Sequence, residues 1–313
     1  MDSTRLEYID IAKGIGIILV VIGHTTNGVV CQWIYSFHMP LFLLISGFLF
    51  DIKKYPVGIK FVKKRTHQIL VPCIIFTALF LIADIFFFDT SNIKLMQFNL
   101  PGALWFLPVL YLVEIIFYYI TKWIKSIILQ RLVILLFFPL VGYFTMRLHI
   151  LNSFSISSVF PAIVFYGIGN FYSKEINNIS NKYNNLYLAL FLLLVPLVYV
   201  FILKSSINLS YNDIPDPVFL SYIIAIIGSL GLLLISTRIQ WLFAKRMLTF
   251  LGANTLIIMG IHQLFLDFST QFLKPVIVSH LLYKLSEQLI IWGCLFICIT
   301  LINRYARWMI GKQ

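Results

Sequence analysis

Residues 11–30 of the chain read IAKGIGIILVVIGHTTNGVV. This stretch is mostly apolar over the roughly 20 residues that a helix needs to cross a hydrocarbon core about 30 Å thick. Working outward from it, further apolar segments of similar length follow at residues 33–50, 68–88, 103–121, 131–147, 158–172, 186–203, 218–236, 250–268 and 285–303. The sequence therefore predicts an all-α, polytopic membrane bundle of about ten transmembrane helices.

The composition excludes the main alternatives to such a bundle. Of the 313 residues, 60% are hydrophobic and 12% are charged, whereas a soluble domain carries roughly 25% charged residues. An outer-membrane barrel would show spans of about ten residues with polar and apolar positions alternating. We find no signal-peptide pattern and no repeat or linker that would divide the chain. We therefore expect residues 1–313 to form a single transmembrane domain that keeps its first span.

The formal net charge of +12 raises the question of nucleic-acid binding. If the N-terminus lies in the cytoplasm, most of the 24 Lys and Arg residues fall on the inner side of the predicted spans. Such a bias predicts that both termini are cytoplasmic, and it explains the charge as a topological signal. We expect no nucleic-acid partner. The basic residues left on the outer side are Lys94, Arg147, Lys204, Lys274 and Lys284.

The first span carries an acid, a base and an imidazole in or beside one membrane helix: Asp10, Lys13 and His24. At about 100° per residue, all three share one face, with His24 roughly 16 Å along the axis from Lys13. If Lys13 marks the cytoplasmic boundary, His24 is about halfway across the bilayer. Ionisable groups at that depth normally face a bundle interior or a water-filled cavity, which favours function. Alternatively, Asp10 and Lys13 form a capping ion pair and His24 bonds a neighbouring helix.

Two further motifs follow the first span. His38 lies beside Pro40, which cannot donate its backbone bond, so His38 either orients a substrate or satisfies the broken turn. Lys64 and Arg65 stand at the predicted cytoplasmic mouth of the third helix. They serve either topology alone or an anionic donor, because ammonium and guanidinium groups bind phosphates.

Four later residues are secondary candidates. Trp105 opens the fourth span and acts either as an interfacial anchor or as part of a site. Glu114 lies within that span and should be either neutral or paired with a cation. Asn254 and His262 lie in the ninth span, where His262 serves helix packing or a polar interior. The four cysteines match no zinc or redox spacing, so no metal site is expected.

Taken together, these residues resemble the acyltransferase-3 family of bacterial membrane proteins. The resemblance covers nearly the whole chain, and the combined spacing within residues 5–47 is its most specific part. It rests on Asp10, Lys13 and His24, on the segment FHMPLF at residues 37–42, on Ser46 and Gly47, on Arg65 to Pro72, on Trp105-Phe106-Leu107, and on Gly252, Asn254 and His262.

The resemblance implies a membrane O-acyltransferase of the bacterial inner membrane. Such an enzyme moves an acyl group, usually acetyl from cytoplasmic acetyl-CoA, to a hydroxyl of a surface polysaccharide, lipid-linked sugar or peptidoglycan. Acetyl-CoA is then a substrate, and no further cofactor is expected. In that family the base and the imidazole of the first helix are the residues most tied to activity. The matching positions here are Lys13 and His24.

Two departures from the family pattern affect the expected donor site. Many members carry two arginines spaced by two residues before the proline of the third span, whereas this chain has Arg65 and then Gln68. Larger members carry a carboxylate where this chain has Leu110, and Glu114 lies one turn further along the same face. Phosphate binding at Arg65 is therefore less strongly implied than the role of His24.

The residues and the resemblance lead to one scheme. Lys13, Lys64 and Arg65 neutralise the donor phosphates, the thioester arm extends along the first helix, and Asp10 holds Lys13. His24 then acts as general base or carries the acyl group on its nitrogen. The alternative is a transporter or flippase that uses the same polar face as a substrate pathway. A non-catalytic scaffold would leave the aligned polar residues unexplained.

Overall fold

The computed structural model describes residues 6–87, 100–151, 153–182 and 185–311. It is 84% helical, and the described residues contain no β-strand beyond one isolated bridge between Asn208 and Asp213. The helix content and the lack of strands in these ranges confirm the predicted all-α class. Lys94, one of the basic residues used to predict the orientation, lies outside the described residues.

Fifteen α-helices lie within these ranges. They are α1 Glu7–Thr25, α2 Gly28–Tyr35, α3 His38–Leu49, α4 Gly58–Arg65, α5 Val71–Phe87, α6 Phe106–Trp123, α7 Ile127–Leu132, α8 Phe138–Arg147, α9 Val159–Phe171, α10 Ser173–Lys182, α11 Leu186–Leu203, α12 Val218–Arg238, α13 Leu242–Ala253, α14 Thr255–Phe272 and α15 His280–Tyr305.

Eight helical stretches in the described part of the chain are long and apolar enough to cross a membrane: Glu7–Thr25, Gly28–Leu49, Gly58–Phe87, Gly102–Trp123, Ile127–Arg147, Leu186–Leu203, Val218–Arg238 and His280–Tyr305. The pair α13 and α14 adds a ninth if its 83° bend belongs to one broken span. The stretch Ser155–Phe171 is apolar but shorter. A multi-pass membrane bundle is thus confirmed. The count of about ten and the cytoplasmic termini stay predictions, because the structure contains no bilayer.

The outer surface of the bundle is apolar in the way a lipid environment requires. Large side chains such as Phe86, Ile202, Phe219 and Leu289 are strongly exposed. On a soluble protein, so many exposed apolar side chains would form a large adhesive surface. On a membrane bundle, exposed apolar side chains of this kind suit contact with lipid.

Two prolines shape the helices near the candidate residues. Pro40 lies in the first turn of α3, after α2 has ended at Tyr35. Pro72 follows a π-helical turn, Thr66–Leu70, in which the amide of Val71 bonds to the carbonyl of Thr66. A proline has no amide hydrogen to donate, so the preceding turn loses a normal helical bond. The wide turn accommodates that loss directly after Arg65.

The first half of α1 packs closely on α13 because two glycines leave room for the backbones. A Cβ atom on Gly252 would lie 1.9 Å from the carbonyl oxygen of Asp10, and one on Gly14 would lie 2.1 Å from the carbonyl oxygen of Leu248. Any larger residue at either position would push the helices apart. This contact fixes Asp10 and Lys13 beside the bend between α13 and α14.

Candidate active site

Three histidines from three different helices meet in the interior of the bundle. His24 lies in the last turn of α1, His38 begins α3, and His262 lies within α14. The ring centroids of His24 and His262 are 5.1 Å apart. Tyr35 contacts both His24 and His38. Its hydroxyl lies 3.4 Å from Nδ1 of His24, and its ring centroid lies 5.0 Å from that of His38. The sequence singled out each histidine separately, and the structure brings them together.

The hydrogen bonds define which ring nitrogens are free. Nδ1 of His38 lies 2.9 Å from the carbonyl of Ile34, and Nδ1 of His262 lies 2.9 Å from the carbonyl of Ile258. Because a carbonyl oxygen only accepts, each Nδ1 carries the proton, and in a neutral ring Nε2 presents its lone pair. Within the described residues, the buried Nε2 of His262 has no hydrogen-bond partner. The bond from His38 to Ile34 fits the structural one of its two expected roles, and a role in orienting a substrate stays a prediction.

His24 and His38 open onto a cavity of about 920 Å³, which we call the histidine cavity. The 3₁₀ turn Gly102–Trp105 places Trp105 on its wall. Carboxylate, amide and aromatic side chains on one wall suit a ligand with several hydroxyl groups and apolar faces. The other polar side chains of the lining include Asp84, Gln263, Asp267, Gln271 and Tyr211.

A second cavity, of about 1040 Å³, is lined by basic and amide side chains, and we call it the basic cavity. Lys64 contributes to it, as does Asn254. Ammonium and guanidinium groups together with amides form the usual lining of a phosphate site. The remaining polar lining comes from Lys63, His67, Gln68, Asn303 and Arg307.

The two cavities lie towards opposite ends of the bundle. Asn303, near the end of α15, bonds to Asn254 in the basic cavity, whereas Lys284, near the start of α15, bonds to Thr25 beside His24. Lys13 and His24 are eleven residues apart on α1, which is roughly 16 Å along the axis. His24 thus lies in the last turn of its helix, and its expected depth halfway across the bilayer stays a prediction.

Asp10 and Lys13 form an ion pair at the start of α1. Nζ of Lys13 lies 2.7 Å from Oδ1 of Asp10, whose side chain is 6% exposed. Neither residue is among the side chains that line the two cavities in the described ranges. Both lie against α13, close to the wall of the basic cavity that Asn254 forms. The geometry thus shows the ion pair that the sequence offered as an alternative, and it leaves the functional role of Lys13 a proposal.

Arg65 points away from the basic cavity and towards α6. Its Nη2 donates to Oε1 of Glu114 at 2.9 Å, and its Nε lies 2.7 Å from Oε2 of the same carboxylate, which is 3% exposed. Nη1 donates to Oε1 of Gln68 at 3.1 Å. Glu114 is therefore paired with a cation, as expected. Of the two residues predicted to bind the acyl donor, Lys64 lines the basic cavity. Arg65 instead bonds to Glu114 and to Gln68 of the π-helical turn.

Asn254 occupies the bend between α13 and α14. Its Nδ2 donates to the carbonyl of Phe250 at 2.8 Å, and its Oδ1 accepts from Nδ2 of Asn303 at 2.6 Å. The sequence marked Asn254 but missed Asn303, His67 and Arg307. Arg307 counted only as one charge of the C-terminal tail, since a basic residue after a last span has the same appearance whether it binds a ligand or sets topology.

The described residues include no group of three or more His, Cys, Asp and Glu side chains that could hold a metal ion. An imidazole in the lining of the histidine cavity can accept a proton, and the polar groups beside it can orient a ligand.

Comparison with known proteins shows to which family the chain belongs. The family model described as acyltransferase domain, that of the acyltransferase-3 family, matches residues 6–303. The chain belongs to this family. Nodulation protein NolL of Sinorhizobium fredii (strain NBRC 101917 / NGR234) is 36% identical over 116 residues, which cover 31% of this chain and 32% of that protein. The aligned region is thus about a third of NolL. No solved structure matches this member of the acyltransferase-3 family.

Proposed function

We propose that this protein is a membrane O-acyltransferase of the bacterial inner membrane. It transfers an acyl group, for which we propose acetyl, from acyl-CoA to a hydroxyl of a cell-surface or lipid-linked glycan. Family membership supports the acyl-transfer chemistry. The observation that carries the mechanism is the position of His24. Its ring is partly exposed in the histidine cavity, at the end of the bundle opposite the basic cavity.

In the proposed reaction, the acceptor hydroxyl enters the histidine cavity and meets Nε2 of His24. His24 removes the proton as the hydroxyl oxygen attacks the thioester carbonyl, so that a C–O bond forms while the C–S bond breaks. The imidazolium returns the proton to the departing thiolate. This role needs the tautomer in which Nδ1–H of His24 donates to the hydroxyl of Tyr35, which lies 3.4 Å away.

The donor is proposed to bind with its phosphates in the basic cavity. Lys63, Lys64 and Arg307 supply three cationic side chains there, and such groups bind phosphate oxygens through charge-assisted hydrogen bonds. The acyl-bearing arm then extends through the bundle towards His24. The predicted cytoplasmic N-terminus puts the basic cavity on the side where acyl-CoA is made. Lys13, held by Asp10, adds positive charge next to this cavity.

The sequence left open whether His24 acts as base or as nucleophile. Direct attack by the acceptor requires donor and acceptor together, so steady-state kinetics should be sequential. An acyl-imidazole would instead give ping-pong kinetics and an acylated enzyme that accumulates without acceptor. We propose direct attack, because the partly exposed ring adjoins a cavity large enough for the acceptor.

The test uses the purified full chain in detergent or lipid nanodiscs with radiolabelled acetyl-CoA and a panel of glycan acceptors. We expect His24→Ala to lower the acetyl-transfer rate by about 10²- to 10⁴-fold, the usual contribution of a general base. His280→Ala, a change at an exposed histidine outside the cavity, is the matched control and should keep the parental rate. Parental activity in His24→Ala would remove the proposed mechanism.

The bend between α13 and α14 favours the transporter alternative, because broken helices are common at transporter binding sites. The same assay separates the two functions. A transferase consumes acetyl-CoA and leaves an ester on the acceptor, whereas a carrier moves a glycan into vesicles without consuming acetyl-CoA. Vesicle uptake with no acyl transfer would favour the carrier.

A further inference from the structure

The last turn of α1 is held by side chains of α15. Thr25 directly follows His24 and ends α1. Nζ of Lys284 donates to the carbonyl oxygen of Thr25 at 2.8 Å, and Nε2 of Gln288 donates to its Oγ1 at 2.8 Å. Two bonds from one neighbouring helix therefore fix the residue that is attached to His24.

A buried carboxylate holds Lys284 in place. Glu287 is 1% exposed, and its Oε2 lies 2.9 Å from Nζ of Lys284. Its Oε1 accepts from the hydroxyl of Tyr283 at 2.6 Å. A carboxylate in the interior of a membrane protein is costly unless it is paired and hydrogen-bonded. In this network both oxygens of Glu287 are used, and one of them directs the ammonium group towards α1.

Helix ends explain why such an arrangement matters for α1. The last carbonyl groups of an α-helix have no partner within the helix. A positive charge near them is favourable because it opposes the negative end of the helix dipole. The chain becomes extended at Thr26, so α1 does not continue to hold its own last turn. Lys284 supplies the missing partner at the turn that carries His24.

We propose that Lys284 and Glu287 are positioning residues for His24. They hold the last turn of α1 so that the imidazole keeps its place beside Tyr35 and His262 in the histidine cavity. The inference rests on the proposed function for its effect on the rate, but the positioning itself is independent of which reaction the histidine cavity performs.

The kinetic test compares three variants with a matched control. Lys284→Met keeps an unbranched side chain but removes the ammonium group, Glu287→Gln keeps the shape but removes the charge, and Lys284→Arg keeps the charge. The control is Lys274→Met, at an exposed lysine in the loop before α15. We expect kcat to fall about 10- to 100-fold in Lys284→Met, as for small displacements of a catalytic group, with little change in KM for either substrate.

Rescue and a second readout separate positioning from general damage. Lys284→Arg should recover most of the lost kcat, and Lys274→Met should match the parent. Independently of activity, diethyl pyrocarbonate modifies accessible imidazoles, and mass spectrometry of the His24 peptide gives its rate. We expect that rate to change at least threefold in Lys284→Met and to return in Lys284→Arg.

The outcomes are distinct from those of the proposed function. If His24→Ala is inactive while Lys284→Met keeps both the parental kcat and the parental modification rate, the positioning role is wrong and the base role stands. If His24→Ala is active, the base role is wrong, and a changed modification rate in Lys284→Met still supports positioning. Should Lys284→Met fail to fold, Glu287→Gln takes its place, with Lys284→Arg as the reference that keeps the charge. Parental kcat and a parental modification rate in Glu287→Gln would then overturn the proposal.

Discussion

The two cavities of this protein differ in how they use charge. Around the basic cavity the charged groups include Lys63, Lys64 and Arg307, and a buried ion pair stands behind its wall. The histidine cavity is instead lined by imidazoles, amides and aromatic rings, together with two carboxylates. Fixed positive charge suits an anionic ligand, whereas a neutral imidazole suits proton transfer.

The comparison also separates two ways of burying a polar group. Arg65 and Glu114 are paired with each other, so the cost of burying them is offset locally. His262 is buried with one nitrogen satisfied by a backbone carbonyl and the other without a partner in the described residues. The first arrangement supports structure, and the second leaves an unpaired ring nitrogen in the histidine next to His24. The predictions below test this division.

The largest expected effect is on stability, and it concerns the buried pair of Arg65 and Glu114. Replacing Glu114 with Ala leaves the Arg65 guanidinium partly buried without its carboxylate, which should lower the free energy of unfolding by about 3 to 5 kcal/mol. The measurement is unfolding of the purified protein in detergent, followed by circular dichroism. The double change Arg65→Met with Glu114→Leu should restore much of the loss, because an apolar pair removes the unpaired charge.

The matched control is the more exposed pair of Glu7 and Lys245, whose atoms are 2.8 Å apart. Glu7→Ala should change the free energy of unfolding by at most about 1 kcal/mol, as is usual for surface pairs. Equal losses at Glu7 and Glu114 would contradict the view that the Arg65–Glu114 pair is a buried structural support.

The next effect concerns donor binding at the basic cavity. Lys64→Met and Arg307→Met should each raise KM for acetyl-CoA about 10- to 100-fold, because a charge-assisted hydrogen bond contributes about 1.5 to 3 kcal/mol. Since we propose that these groups bind the donor phosphates and do not contact the reacting atoms, kcat at saturating acetyl-CoA should stay near the parental value. Initial rates over a range of acetyl-CoA concentrations measure both.

Lys60→Met, a change at an exposed lysine of α4 outside the cavity lining, is the control for the loss of one positive charge. It should leave KM for acetyl-CoA unchanged. If Lys60→Met and Lys64→Met raise KM equally, the general charge of this face and not the cavity explains the effect. A normal KM in both Lys64→Met and Arg307→Met would place the donor elsewhere.

The fold was largely predictable from the sequence, because membrane spans are continuous apolar segments that need no tertiary information. The predicted segments correspond to the helices, with uncertainty only where a span is short, as in α9, or broken, as at Asn254. Pro40 also marked the break between α2 and α3, since the missing amide is a property of the residue itself.

The candidate site was only partly predictable, because sequence periodicity relates residues within one helix and not between helices. The stripe on α1 pointed to His24, but nothing in the sequence placed His262 against it or Tyr35 between His24 and His38. The same limit explains Arg65: its adjacency to Lys64 suggested one shared phosphate site, whereas successive residues of a helix point in directions about 100° apart. Only the fold could show that Arg65 faces Glu114.

The smallest expected effect is at Tyr35, and it tests the histidine cavity alone. Tyr35→Phe keeps the ring contact with His38 but removes the hydroxyl that lies 3.4 Å from Nδ1 of His24. A long hydrogen bond of this kind contributes at the lower end of about 0.5 to 1.5 kcal/mol, so kcat should fall about 2- to 10-fold. KM for acetyl-CoA should stay unchanged, because the proposed site for the donor phosphates lies at the other end of the bundle.

The division between kcat and KM decides what the hydroxyl does. If it holds the proton on Nδ1 of His24, its loss lets the imidazole adopt the unproductive tautomer, and kcat falls while KM for the acceptor is kept. If the hydroxyl instead binds the glycan, KM for the acceptor rises and kcat is kept. Initial-rate measurements with the acceptor varied separate the two, and a parental kcat in Tyr35→Phe would show that Tyr35 does not orient the proposed base.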